Sequence, residues 1–276
     1  MFNLTDNRHT WNARGVQKSD FKLLDYSHFF EGTEKYPLSN GLTVILKEDY
    51  RFPVCTFHLW IKTGSITENE YLGSGISHFT EHSMFLGSKQ RKTEGEISKE
   101  IESYGGADLN AHTSFMHTAY HFTISSKFIT NGIEIMSDMI FNPLFLPERI
   151  KNEKKVILSE MDMGKDDPMH VMNEIFLDRI YARHPFRIPI IGYKDIFTAL
   201  SEKDLKKYFN INYAPNNMIL TIVGSFKSDS VKEMVDRHFS PKKRKPLFVP
   251  NIPLELPQYN PYRHTEYIKI NKPRAK

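Results

Sequence analysis

The chain has one cysteine, Cys55, in 276 residues, which rules out an intrachain disulfide. No apolar run is long enough to cross a bilayer as a helix, so no membrane span is expected. Residues Met1 to Lys18 are polar and hold no continuous apolar stretch of the kind a secretory leader carries. Basic residues are not concentrated either. The net charge is only +4, and the one tight run is Lys242-Lys243-Arg244-Lys245, set between Pro241 and Pro246. Nucleic-acid binders cluster basic residues with interleaved aromatics, so the run reads as a solvated linker and no nucleic-acid partner is expected. Together these absences point to a soluble protein of a reducing compartment, cytoplasmic by default.

A hydrophobic share of 39% and a charged share of 25% are those of an ordinary globular protein, long enough to bury a sizeable core. Cys55 alternates with Phe57, Leu59 and Ile61, the spacing of one strand face, which makes it a buried core thiol with no activating polar neighbour on that face.

Along the chain, residues 1–35 read as a loosely ordered arm, polar at first and aromatic around Phe21 to Phe30. Asn40-Gly41 marks a turn into Leu42 to Leu46, and a second β-rich run follows Pro53 through Ile61; the two read as a hairpin. A helical pattern runs from Tyr71 to Gly87 and another from Gly95 to Tyr104, broken by Gly105-Gly106. Residues 115–124 read as a strand. Helices are predicted over 127–140, over 147–165 with Pro147 at its start, and after Pro168. Ser201 to Asp204 has the form of a capping box opening a helix to about Tyr213. Met218 to Val223 is a strand ending at Gly224, and Ser230 to Phe239 a last helix. This order predicts an α+β domain over 36–240, a largely antiparallel sheet with helices packed on it. Six prolines between 241 and 261 then mark an extended linker, and Thr265 to Ile270 reads as one strand, either joining the same sheet or opening a second domain.

The chemistry concentrates in Gly75 to Gly87, which contains His78-Phe79-Thr80-Glu81-His82. On a helix, residues three and four apart share a face, so His78, Glu81 and His82 project together and both imidazoles can reach one ion. A catalytic zinc takes three protein ligands and keeps one position open for water, whose pKa falls to about 7. Glu81, between the imidazoles, is placed to take that water's proton. The pentad alone leaves open a surface helix carrying only a carboxylate–imidazole pair.

The third ligand comes from the helix over 147–165. Ile150, Glu153, Val156, Ile157, Glu160 and Met161 fall on one stripe, with Lys151, Lys155 and Asp162 opposite. Two carboxylates on an apolar, inward face are costly unless paired or metal-bound. Zinc accounts for both, with Glu160 as ligand and Glu153 orienting a histidine; pairing with Lys154 is the alternative. A rival cluster, His112, His117 and His121, is less suited to one ion. His117 and His121 lie four residues apart on a strand, about 13 Å, and read as hydrogen-bonded core or cleft histidines.

These residues resemble the pitrilysin/insulinase family of zinc peptidases, whose inverted motif is His-x-x-Glu-His. Leu38 to Val44 is similar to the family's opening strand, Gly75 to Gly87 to its metal helix, Gly105 to Thr113 to its substrate edge strand, and Glu153 to Glu160 to its paired-glutamate element. Tyr213 to Met218 with Gly224 is similar to the strand that closes the domain. The resemblance spans 36–240. It implies Zn2+ held by His78, His82 and Glu160, with Glu81 as general base. It also implies Asn110 and Ala111 against the backbone of a peptide substrate bound as an added strand. Family members pair such a domain with a second, similar one that supplies an arginine and a tyrosine to the substrate carbonyl. Nearly all of that half is missing here, so either the chain is an N-terminal piece or a partner subunit completes the site. The expected function is a zinc-dependent endopeptidase half acting on extended or unfolded peptides. The alternatives are a non-catalytic peptide-binding or assembly subunit and a structural zinc site.

Overall fold

The computed structural model describes residues 30–247 together with 250, 252, 253 and 255. The aromatic part of the arm before Phe30 and the strand expected at Thr265 to Ile270 lie outside the described residues.

Among the described residues, six strands form one sheet: β1 (Thr33–Pro37), β2 (Thr43–Glu48), β3 (Val54–Ile61), β4 (Ala107–Thr113), β5 (Thr118–Ser125) and β6 (Met218–Gly224), in the order β1-β2-β6-β3-β5-β4. All pairings are antiparallel except β2 with β6. The α+β, largely antiparallel architecture read from the sequence is the one found. β1 starts at Thr33, inside the segment read as an arm.

The hairpin expected from 42–61 is a correction. β2 and β3 do not pair, because β6 lies between them, parallel to β2 (Thr43↔Ile219 to Glu48↔Gly224) and antiparallel to β3 (Cys55↔Gly224 to Ile61↔Met218). The connection between β2 and β3 passes round the end of β6: Asp49 N donates to Gly224 O (2.8 Å) and Ser225 N to Val54 O (3.0 Å). Gly224 makes this possible. Its φ is +150°, and a Cβ there would stand 2.1 Å from Val54 O. A local hairpin signal could not reveal a strand inserted from some 160 residues further along.

Alternation settles the two faces. Val44, Leu46, Cys55, Phe57, Leu59, Ile61, Tyr120, Phe122, Ile124, Leu220 and Ile222 are fully buried, while Thr56, His58, Trp60, His121 and Thr123 on the opposite face are only partly covered or exposed. Cys55 is among the buried set, and burial pushes its thiol up to about 11, which makes it inert.

The helices are α1 (Ile76–Ser83), α2 (Glu96–Ser103), α3 (Ile129–Phe141), α4 (Pro147–Asp166), α5 (Pro168–Ile180), α6 (Lys194–Ala199), α7 (Glu202–Asn212) and α8 (Ser228–Phe239). Pro147 and Pro168 open α4 and α5, where a missing N–H costs nothing. Ser201 and Asp204 form the capping box of α7 as its sequence pattern predicts. The short α6 had no sequence counterpart. The basic run at 242–245 is not a free linker. Lys242 Nζ reaches Asn142 Oδ1 (2.7 Å), Lys245 Nζ reaches Asn210 O (2.6 Å), and the Asn216 side chain bonds the Lys245 backbone, so this stretch is fastened to the domain.

Candidate metal centre

α1 is held by its N-terminal end. Gly75 precedes it at φ +69°, where a Cβ would stand 2.0 Å from Ile191 O, so only glycine fits. The first-turn amide of Ser77 donates to Glu68 Oε1 (2.8 Å), a carboxylate only 1% exposed. Burial pushes Glu68 up to about 8, against the amides of Ser77, Gly75 and Gly73, which favour its charged form. Ser77 Oγ also bonds Tyr208 Oη (2.7 Å), which in turn bonds Thr63 Oγ1 (3.1 Å), tying α1 to α7. With Ile76 and Phe79 locked in the core, the face carrying His78, Glu81 and His82 turns toward α4 and β4.

α4 brings the carboxylates. Ile150, Ile157 and Met161 are buried. Val156, placed on the same stripe by its spacing, is instead 52% exposed: at 100° per residue it lies about 90° off the stripe's centre, too far round to be covered. Glu153 Oε1 lies 2.7 Å from His82 Nδ1. Glu160 Oε1 lies 3.8 Å from His78 Nε2, and its Oε2 lies 3.7 Å from His82 Nε2. One ligand atom from each of His78, His82 and Glu160 falls within 4.8 Å of the others, and among the described residues no other group of three metal-ligating side chains does so. Lys154 does not pair with either glutamate; its ammonium caps the end of α6 through Thr198 O (2.9 Å) and Leu200 O (2.7 Å).

The donor set fits a divalent transition metal. The two Nε2···O gaps are too long for direct hydrogen bonds. They match two ligands about 2.0–2.1 Å from a shared ion. Glu153 occupies the Nδ1 side of His82, which fixes the ring with Nε2 facing the gap. Burial and the neighbouring His82 hold His78 down at about 3, so it stays neutral and offers a lone pair. His82 behaves oppositely. Burial alone would lower it, but the Glu153 hydrogen bond and the charges of Glu81, Glu153 and Glu160 raise it, so metal and proton compete for this ring.

Glu81 is 6% exposed and accepts a hydrogen bond from Thr113 Oγ1 on β4. Burial raises its pKa, Glu160 adds to the rise, and Thr113 and His82 oppose it. The Thr113 contact was not foreseen, although the alternation of β4 puts Thr113 on the same face as Ala111. Among the described residues, β4 is an edge strand, pairing only with β5. Asn110 and Ala111 line the same 850 Å³ cavity as His78, Glu81, His82 and Glu160, and the Ala111 amide is held by Asn110 Oδ1 (2.8 Å). The far wall, from Phe186 to Lys194, was also unforeseen, having no periodic signal. The rival histidines divide differently from their spacing. His117 precedes β5, and its Nε2 meets His112 Nε2 at 3.1 Å.

The family model described as insulinase (peptidase family M16) matches residues 43–194. This chain belongs to the insulinase family of peptidases. A second model, described as the peptidase M16 inactive domain, matches residues 199–276; that match includes β6, at the centre of the sheet built by the first. Among curated relatives, the mitochondrial-processing peptidase subunit beta of Bos taurus is 33% identical over 202 residues, 73% of this chain and 40% of its own length. A zinc protease of Rickettsia felis is 31% identical over 207 residues, 75% of this chain and 50% of its own. A protease from Helicobacter pylori has a similar structure, with a TM-score of 0.72 at 28% identity, over 80% of this chain and 53% of that one. The chain thus spans about half the length of the relatives it matches. Among the described residues, no helix is long and apolar enough to cross a membrane.

Proposed function

We propose that this chain is the catalytic half of a zinc-dependent endopeptidase that cleaves extended or unfolded peptides. His78, His82 and Glu160 hold the metal, Glu153 orients His82, and Glu81 is the general base. The observation that carries this reading is the convergence of three ligand atoms within 4.8 Å beside a buried carboxylate.

Zinc in this position supplies a Lewis acid that polarises a scissile carbonyl and acidifies nearby water. Glu81 takes a proton from the attacking water as its oxygen adds to the carbonyl carbon. The same carboxyl then gives the proton to the departing nitrogen as the C–N bond breaks. Burial favours both roles, because a carboxylate with a raised pKa holds a proton more readily. Thr113 steers one Glu81 oxygen and leaves the other free. The free edge of β4 accepts the peptide as an added strand, with Asn110 and Ala111 against its backbone. A second homologous domain or partner subunit supplies the donors to the developing oxyanion, each contributing a few kcal/mol. The chain alone therefore binds zinc but turns over slowly.

The test is a quenched, unstructured peptide incubated with the zinc-loaded chain and with Glu81→Gln. An enzyme keeps its zinc and loses hydrolysis in the variant; a peptide-binding subunit shows no hydrolysis to lose. Fast turnover by the chain alone would show the second half to be dispensable.

A further inference from the structure

The partly covered face of the sheet carries a second group of imidazoles. β3 and β5 place His58 directly opposite His121, and their rings meet edge to face at 5.4 Å. The turn between β4 and β5 folds His117 back onto His112, Nε2 to Nε2 at 3.1 Å. Trp60 packs on the His117 ring at 4.2 Å and donates its Nε1–H to His58 Nδ1 at 2.9 Å. His121 Nδ1 is buried without a hydrogen-bond partner.

We propose that His112 and His117 form a second metal site for a late divalent transition ion, Zn2+ or Cu2+, with a ligand set distinct from that of the His78 centre, whose cavity His112 also lines. Two nitrogens at 2.0–2.1 Å from a tetrahedral ion stand about 3.3 Å apart, and closer in a square-planar field, so the observed separation already suits chelation. The alternative use of this geometry is one N–H···N bond between neutral rings, which leaves the other ring nitrogens to solvent. Burial and the neighbouring imidazoles lower the pKa of His58, His112 and His117, and no carboxylate appears among the groups that shift them. The rings are thus neutral at pH 7 and present lone pairs, with no acid to make the site prefer a harder cation. Water fills the remaining positions, so the site is weaker than the three-ligand centre. Its metal would pin the end of the β4–β5 hairpin just beyond Asn110 and Ala111.

The test uses Trp60 as a reporter in a Trp11→Phe background, which leaves it the only tryptophan. Cu2+ titrated into the zinc-loaded chain quenches Trp60 fluorescence, and the quenching survives Glu160→Ala, which disables the other centre. It disappears in His112→Asn/His117→Asn, whose circular dichroism stays unchanged and which still takes up the one tightly bound zinc of the His78 centre. Calorimetry with Zn2+ shows a second, weaker event lost in the same double variant only. If unfolding obscures the double variant, His117→Gln alone weakens the Cu2+ effect while His121→Asn does not. Quenching that persists without both imidazoles, or a wild-type chain with no second binding event, overturns the proposal.

Discussion

His82 Nδ1 lies 2.7 Å from Glu153 Oε1, so the ring that faces Glu160 through one nitrogen is steered through the other. Outer partners of this kind typically change metal affinity by roughly 10–100-fold. Glu153→Ala is therefore expected to weaken zinc binding by about that factor, and Glu153→Gln, which still accepts a hydrogen bond, by less. Competition with a chelator of known affinity measures both.

Thr113→Val removes the donor to Glu81 while keeping the side chain's shape. A buried carboxylate that loses a hydrogen bond costs about 1–3 kcal/mol. The expected result is a loss of stability in that range in urea, with zinc stoichiometry unchanged and peptide hydrolysis reduced.

Glu68 gives a pH signature. Its pKa is raised from 4.5 to about 8 in the fold, so between those values the native state binds the extra proton. Its contribution is fully present below about 4.5 and is lost as pH rises through about 8. Glu68→Gln, which stays neutral while still accepting from Ser77 N, removes that decline. Denaturant unfolding from pH 5 to 9 should show the variant gaining on the wild type as pH rises; parallel curves would contradict this.

Arg91 is 4% exposed and bonds Glu100 through Nε and Nη2 (2.5 and 2.9 Å) and Asp138 through Nη1 (3.3 Å). Asp138 is itself only 2% exposed. Arg91→Met takes away the guanidinium and leaves Asp138 with hydrogen bonds from Ser88 Oγ, Gln90 N and Asn142 Nδ2, a loss below the roughly 3–5 kcal/mol of a bare buried charge, read as a lower urea midpoint. The metal site is untouched, so zinc affinity of the folded fraction should hold.

The residues that were legible in the sequence are those whose chemistry is unusual for their position. The pentad on α1 and two acids on an apolar helix face announced themselves because such placements are costly without a partner. Asn110 and Ala111 were reached through resemblance, and they lie on β4, at an edge of the sheet among the described residues. What escaped depended on contacts distant in sequence: β6 entering between β2 and β3, Glu68 capping α1 and Thr113 meeting Glu81. His117 precedes β5, so strand spacing does not hold for it, although the hydrogen-bonded histidine expected there is found.

The most direct test is anomalous diffraction at the zinc edge from crystals grown with a limiting equivalent of Zn2+. The account predicts a single strong peak about 2.0–2.2 Å from His78 Nε2, His82 Nε2 and a Glu160 oxygen, and its loss in Glu160→Ala. A peak elsewhere, or one unmoved by that substitution, would contradict it.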